Sequence, residues 1–166
     1  MDEDREYGRA EGKAFRLLTL RAHSEKELRA KLKAGGFAEP VVEGVIQRCL
    51  EIGYLNDEAF ARQRARLLAV SRLAGDRRIA FDLRERGIDA GLSAQVIADV
   101  RGELDEEEAA KRLLRKKIRG RPVAALNDRE KAGLARNLMG KGFPTGLILK
   151  ILKKTEEEVF HDDDGE

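Results

Sequence analysis

The chain has no tryptophan, a single cysteine and two histidines in 166 residues, and each scarcity narrows what it can be. Aromatic residues amount to 5% against a hydrophobic fraction of 42%, so any core must be aliphatic, built from Leu, Ile, Val and Ala. Cys49 has no second cysteine to pair with, which excludes an internal disulfide and suits a reducing cytoplasm. It shares an apolar stripe with Val45 and Ile46, as a small core residue does, rather than a reactive thiol. No apolar run approaches the ~20 residues of a membrane span. Residues 1–13 lack the apolar stretch of a secretory leader. His23 and His161 have no ligand-spaced partner, and neither a Walker loop nor a dinucleotide glycine fingerprint occurs. Asp57-Glu58 reads as a helix N-cap followed by a first-turn acid, not as a catalytic pair. Without sustained polar–apolar alternation no sheet is expected. What remains is an all-helical non-enzyme with no metal or cofactor.

What the chain does have is internal repetition. Leu28, Leu32, Gly36, Phe37, Val41, Val45 and Ile46 are matched, 51 residues on, by Ile79, Leu83, Gly87, Ile88, Leu92, Val96 and Ile97. A third copy follows 55 residues later as Leu134, Leu138, Gly142, Phe143, Leu147, Ile151 and Leu152. A unit returning at this period is a small helical element stacked on copies of itself. Ser24-x-x-Glu27 is a capping-box signature that starts a helix at Glu25; Gly35-Gly36 stops that helix, and Pro40 sits in the first turn of the next. Each unit therefore reads helix, helix, glycine turn, helix. The predicted fold is all-α, three tandem three-helix repeats in an elongated array. Its divisions are a disordered segment 1–13, repeats at 14–54, 55–102 and 103–153, and an acidic tail at 154–166. The glycines at 36, 87 and 142 read as helix terminators, although helix–Gly turn–helix spacing is also what a helix-turn-helix uses.

The net charge of +2 conceals a basic body between acidic ends. Residues 14–153 carry 29 Lys and Arg against 19 Asp and Glu, a surplus of +10. A basic body attracts nucleic acid or an acidic protein surface. Arg62 and Arg66 are four apart on one helical face, and Arg72 extends the run. Phe81 lies opposite Ile79 on its helix, with Arg77 and Arg84 flanking it at 100° per residue. It is either a contact to a neighbouring unit or a partner anchor ringed by cations. Lys111, Arg112, Arg115, Lys116, Lys117, Arg119 and Arg121 form a denser cluster in the third unit, more cation than a solvated face needs, and point to phosphates or an acidic surface.

The run Gly53-Tyr54-Leu55-Asn56-Asp57-Glu58-Ala59-Phe60-Ala61-Arg62 closely resembles the most characteristic motif of bacterial RecX regulatory proteins. Gly75-Asp76-Arg77-Arg78-Ile79 with Leu83, Arg84, Arg86, Gly87 and Ile88 is similar to that family's following helix, with Asp76 where the family often has proline. The resemblance covers about residues 14–153. It implies a modulator, usually an inhibitor, of the RecA recombinase that lies in the groove of the RecA–DNA filament and damps its ATPase, strand exchange and co-protease activity. The partners expected are the RecA filament and, without sequence preference, the phosphate backbone, met by a cytoplasmic monomer. The alternatives are a stand-alone helix-turn-helix-like DNA-binding protein and a repeat scaffold for some other protein.

Overall fold

The computed structural model describes the backbone of residues 2–161 and the side chains of residues 3–155. Within these, every regular element is helical. The α-helices are α1 (Asp2–Leu20), α2 (Glu25–Ala34), α3 (Glu39–Glu51), α4 (Asp57–Arg66), α5 (Asp76–Glu85), α6 (Ala90–Arg101), α7 (Glu106–Ile118), α8 (Asp128–Gly140) and α9 (Thr145–His161). A π-helical turn, Leu67–Ser71, follows α4, and a 3-10 turn, Val123–Ala125, precedes α8. The three copies of the sequence pattern fall on α2–α3, α5–α6 and α8–α9.

The helix starts follow the capping chemistry. Ser24 accepts from the Glu27 amide while Glu27 accepts from the Ser24 amide, closing the capping box at α2. Asn127 and Glu130 do the same at α8, and Asp105 accepts from the Glu107 and Glu108 amides at α7.

The chain forms two compact units, residues 1–64 with 83–93 and residues 65–82 with 94–166. The division passes through α4, α5 and α6. In the first unit, Ala10, Ala14, Leu28, Leu32, Val42, Val45, Ile46, Cys49 and Leu55 form an aliphatic core. Burial pushes the Cys49 thiol above its ordinary pKa, as it does for an inert core cysteine. In the second, Leu73, Leu104, Ala109, Ala110, Leu113, Leu114, Val123, Leu138, Phe143, Ile148 and Ile151 do the same. Each fully buried Leu or Ile stabilises by about 1.5–3 kcal/mol.

Three sequence expectations are corrected. Residues 1–13 are not disordered: α1 begins at Asp2 and packs along α3. Tyr7 donates its hydroxyl to the Gly44 carbonyl at 3.4 Å, and Glu6 accepts from the Ala38 amide at 2.8 Å, capping α3. The buried residues here are Ala10 and Ala14, too small to stand out as an apolar stripe. Second, the helix capped at Asn56 or Asp57, expected from the sequence to contain Phe60, Leu67 and Leu68, loses its regular turn at Leu67. The Arg72 amide reaches back five residues to the Leu67 carbonyl at 3.0 Å, and Leu67 is 41% exposed. Third, helix continues into the acidic tail as far as His161; Asp162–Glu166 lie outside the described residues.

The glycine turns do more than end helices. The Gly87 and Gly142 turns share a Schellman pattern, with Ile88 donating to the Leu83 carbonyl and Phe143 to the Leu138 carbonyl. Gly87 (φ +82) also lies against Lys26, where a Cβ would come within 2.7 Å of the lysine Cβ. Gly142 (φ +93) lies against Arg78, where a Cβ would stand 2.4 Å from the backbone nitrogen. The same approach thus occurs twice, once in each unit: a turn glycine seated on the first turn of the corresponding earlier helix. Around Gly87, Ser24 Oγ donates to the Arg86 carbonyl at 2.6 Å and Lys26 Nζ to the Glu85 carbonyl at 3.1 Å. Around Gly142, the Gly75 amide donates to the Lys141 carbonyl at 2.8 Å. Gly36, in the first copy, has no neighbour within 4 Å of such a Cβ and serves only its turn.

Candidate functional site

The segment Gly53–Arg62 is built almost wholly from structural tasks. Gly53 (φ +75) closes α3, with the Tyr54 amide bonded to the Cys49 carbonyl at 2.9 Å. Leu55 is buried, and Asn56 Oδ1 caps α4 by accepting from the Ala59 amide at 3.0 Å. Asp57 is not the cap of its own helix. Its Oδ1 accepts from the Glu25 amide at 2.8 Å and so caps α2. Glu106, first residue of α7, repeats the device: its Oε1 accepts from the Asp76 amide at 2.9 Å and caps α5. Burial raises the pKa of both carboxyls, and the amide each accepts from opposes that rise.

The predicted site residues Arg62, Arg66, Arg72, Arg77, Phe81, Arg84, Arg112, Arg115, Lys116, Lys117 and Arg119 are all exposed. They divide by what holds them. Arg62 pairs with Glu58 one turn earlier at 3.1 Å. Arg66 grips Glu103 through Nε at 2.9 Å and Nη2 at 2.6 Å. Arg112 and Arg115 share Glu108, at 3.0 and 2.8 Å. Beside them Lys111 and Lys150 bracket Glu107 and bring its carboxyl down to about 2. Arg112 and Arg115 of the α7 cluster are therefore matched by an acid of the helix's own first turn. Arg72, Arg77, Lys116, Lys117 and Arg119 have no ion-pair partner among the described residues. Lys116 and Lys117 occupy the last turn of α7, where cations also complement the helix dipole. Arg119 caps that helix in the left-handed region, φ 51.

These groups do not form one cluster. Arg77 is in the first turn of α5, joined to the first residue of α7 through the Asp76–Glu106 bond. Lys116 is ten residues further along α7, about 15 Å at 1.5 Å per residue. Within the second unit the unmatched cations Arg77 and Lys116 thus lie at the start of α5 and near the end of α7.

Phe81 is 46% exposed, and Arg78 lies over its ring, with Cζ 5.7 Å from the centroid. The flanking pair inferred from angular position was Arg77 and Arg84. Arg78, at the i, i+3 spacing, is a cation on this ring that the angular reading did not name, and the seating of Gly142 on Arg78 fixes its backbone.

Sequence reasoning also missed His23. It is 3% exposed, with Nδ1 2.9 Å from the Arg21 carbonyl and Nε2 2.9 Å from Lys31 Nζ. Burial, first, holds its pKa below the ordinary imidazole value. The only signal was its place next to the Ser24 cap. Among the described residues no group of three or more His, Cys, Asp or Glu could hold a metal ion, and no helix is long and apolar enough to cross a membrane.

Two family profiles match the chain: the first three-helix domain of RecX over residues 10–49 and the second over residues 56–97. Regulatory protein RecX of Syntrophotalea carbinolica is 33% identical over 141 residues, covering 85% of this chain and 92% of that protein. Its namesake in Mycobacterium sp. strain JLS is 32% identical over 142 residues, covering 83% and 76%. The crystal structure of RecX from Lactobacillus salivarius superposes with a TM-score of 0.76 at 19% identity, over 92% of this chain and 98% of that one.

Proposed function

Because the chain belongs to the RecX family, whose members here are described as regulatory proteins, we propose that it binds the RecA–DNA filament and inhibits the RecA recombinase. The observation that carries this reading beyond the family is the set of exposed, unmatched cations Arg72, Arg77, Lys116, Lys117 and Arg119. Cations already matched by carboxylates gain little from a phosphate, since one pairing is exchanged for another. Unmatched ones gain by releasing counterions from a polyanion. Residues in the last turn of α7 and the first of α5 meet phosphates without reading bases, in keeping with binding that ignores sequence. The protein acts as a cytoplasmic monomer, through contact with RecA protomers and with the strand they hold, and not as an enzyme.

Sequence-specific duplex recognition is less well supported. In a helix-turn-helix the second helix presents its first residues to base edges. Here the helices after the glycine turns open with Glu39-Pro40-Val41, Ala90-Gly91-Leu92 and Thr145-Gly146-Leu147. None offers the Arg, Lys, Asn or Gln of a bidentate base contact, and Glu39 and Thr145 could supply only single ones.

Titration of RecA's DNA-dependent ATPase with this protein tests the proposal. The rate is expected to fall at well below one molecule per RecA protomer. An unchanged rate at equimolar protein would remove it.

A further inference from the structure

An open cleft of about 340 Å³ lies along α8 in the second unit, between the end of α7 and the residues leading into α8. Ile118, Leu126 and Leu134 supply its apolar walls. Lys117, Glu130 and Asn137 supply polar groups, with Arg121 held to Glu130 at 2.9 Å.

Two features mark it as more than an irregularity of packing. Asn137 Oδ1 is buried and accepts no hydrogen bond from another protein group, an arrangement uncommon in protein interiors. Gly133 lines the same cleft from the middle of α8, where glycine is a poorer helix former than alanine. A Cβ at Gly133 would meet nothing within 4 Å, so no crowding requires the glycine; what its bareness leaves is the cleft.

We propose that this cleft receives one nucleotide, its base between the aliphatic walls and its phosphate on Lys117. The volume falls within the about 300–1,000 Å³ of small-ligand clefts. An acyl chain or phenyl group would satisfy the walls but leave the Asn137 carboxamide unmet. A base edge carries donor and acceptor side by side, the complement of a carboxamide, and a half-turn of the terminal amide selects which atom faces it. Lys117, without an ion-pair partner among the described residues, stands where a phosphate joined to that base would lie. The inference rests on the proposed contact with nucleic acid and deepens it: one base leaves its stack and is held.

The test is NMR of the full ¹⁵N-labelled chain, titrated with a deoxyadenosine octamer, an abasic octamer of equal charge, and adenosine monophosphate. The base-bearing octamer should move the Asn137 side-chain and Gly133 amide signals and bind about tenfold more tightly than the abasic one. Gly133→Leu, which fills the cleft with a better helix former, should erase that tenfold difference while the melting temperature holds or rises. Asn137→Leu, an apolar replacement of similar size, should erase it as well. Movement of the same signals by the monophosphate at equal affinity supports the cleft with a free nucleotide as its source. Equal binding of both octamers, or undiminished base preference in both variants, overturns the nucleotide cleft and leaves phosphate contact standing. Absence of binding by either octamer overturns both.

Discussion

Gly142 is seated on the backbone of Arg78 so closely that a methyl group at position 142 would stand 2.4 Å from the Arg78 nitrogen. Gly87 approaches Lys26 in the same way with a little more room, and Gly36 approaches nothing. Alanine at these three positions should therefore destabilise to different degrees. Gly36→Ala bears only the positive-φ penalty, about 1 kcal/mol. Gly142→Ala adds a backbone clash and should cost about 2–4 kcal/mol, with Gly87→Ala between them. Equal shifts of the three urea midpoints would refute the seating.

The Asp57–Glu25 bond makes a second prediction. Asp57→Ala leaves the Glu25 amide without its acceptor and should cost about 1 kcal/mol, the usual worth of a helix cap. Asp57→Asn keeps the acceptor and removes a buried charge, so its stability should stay near that of the parent. Glu106→Ala and Glu106→Gln should behave in parallel through Asp76. Chemical denaturation of the four variants reads this directly.

His23 sets a pH dependence whose sign is fixed by its lowered pKa. Above the unfolded value of ~6.5 the imidazole is neutral in both states and contributes no pH dependence. Below it the unfolded chain takes up a proton that the folded chain resists, because burial disfavours the charged ring and the cations Arg21 and Lys31 stand beside it. The folded state therefore loses stability as pH falls from ~6.5 toward the folded pKa. Melting temperatures across this interval should drop for the parent and drop less for His23→Gln.

Cations that carry no acid partner should matter more to filament binding than those that do. Arg77→Ala and Lys116→Ala should each weaken binding and lower its salt dependence by about one counterion. Arg66→Ala, which releases Glu103, and Arg112→Ala, which leaves Glu108 to Arg115, should change it little. Binding of fluorescently labelled RecA–DNA filaments at several salt concentrations distinguishes the two groups. Equal losses across all four would dissolve the distinction.

Much of the fold was legible because large aliphatic residues at helical spacing, glycine stops and capping boxes all pointed the same way. Leu83, fully buried, sits where the repeat demanded. What escaped were relations that local spacing does not encode. The Ala10–Ala14 face of α1 is made of side chains too small to register as a stripe. The π turn at Leu67–Ser71 shifts the helical phase without any glycine or proline to mark it. The cationic residues were individually legible, but their neutralisation was not: Glu103 lies 37 positions from Arg66, and no periodicity connects them. Asp57 was recognised as a cap residue and assigned to the wrong helix, because a capping side chain can serve any amide its fold brings near.

Two of the caps that reach across the chain run from a later residue back to an earlier helix, whereas the one from Glu6 to the start of α3 runs forward. Glu25 waits for a residue 32 positions downstream and Asp76 for one 30 positions downstream. On a ribosome, α2 gains its last hydrogen bond only when Asp57 has emerged, and α5 only when Glu106 has. These two helices of the nascent polypeptide are thus finished by later residues, and a message truncated between residues 76 and 106 would release a product with α5 left open at its start.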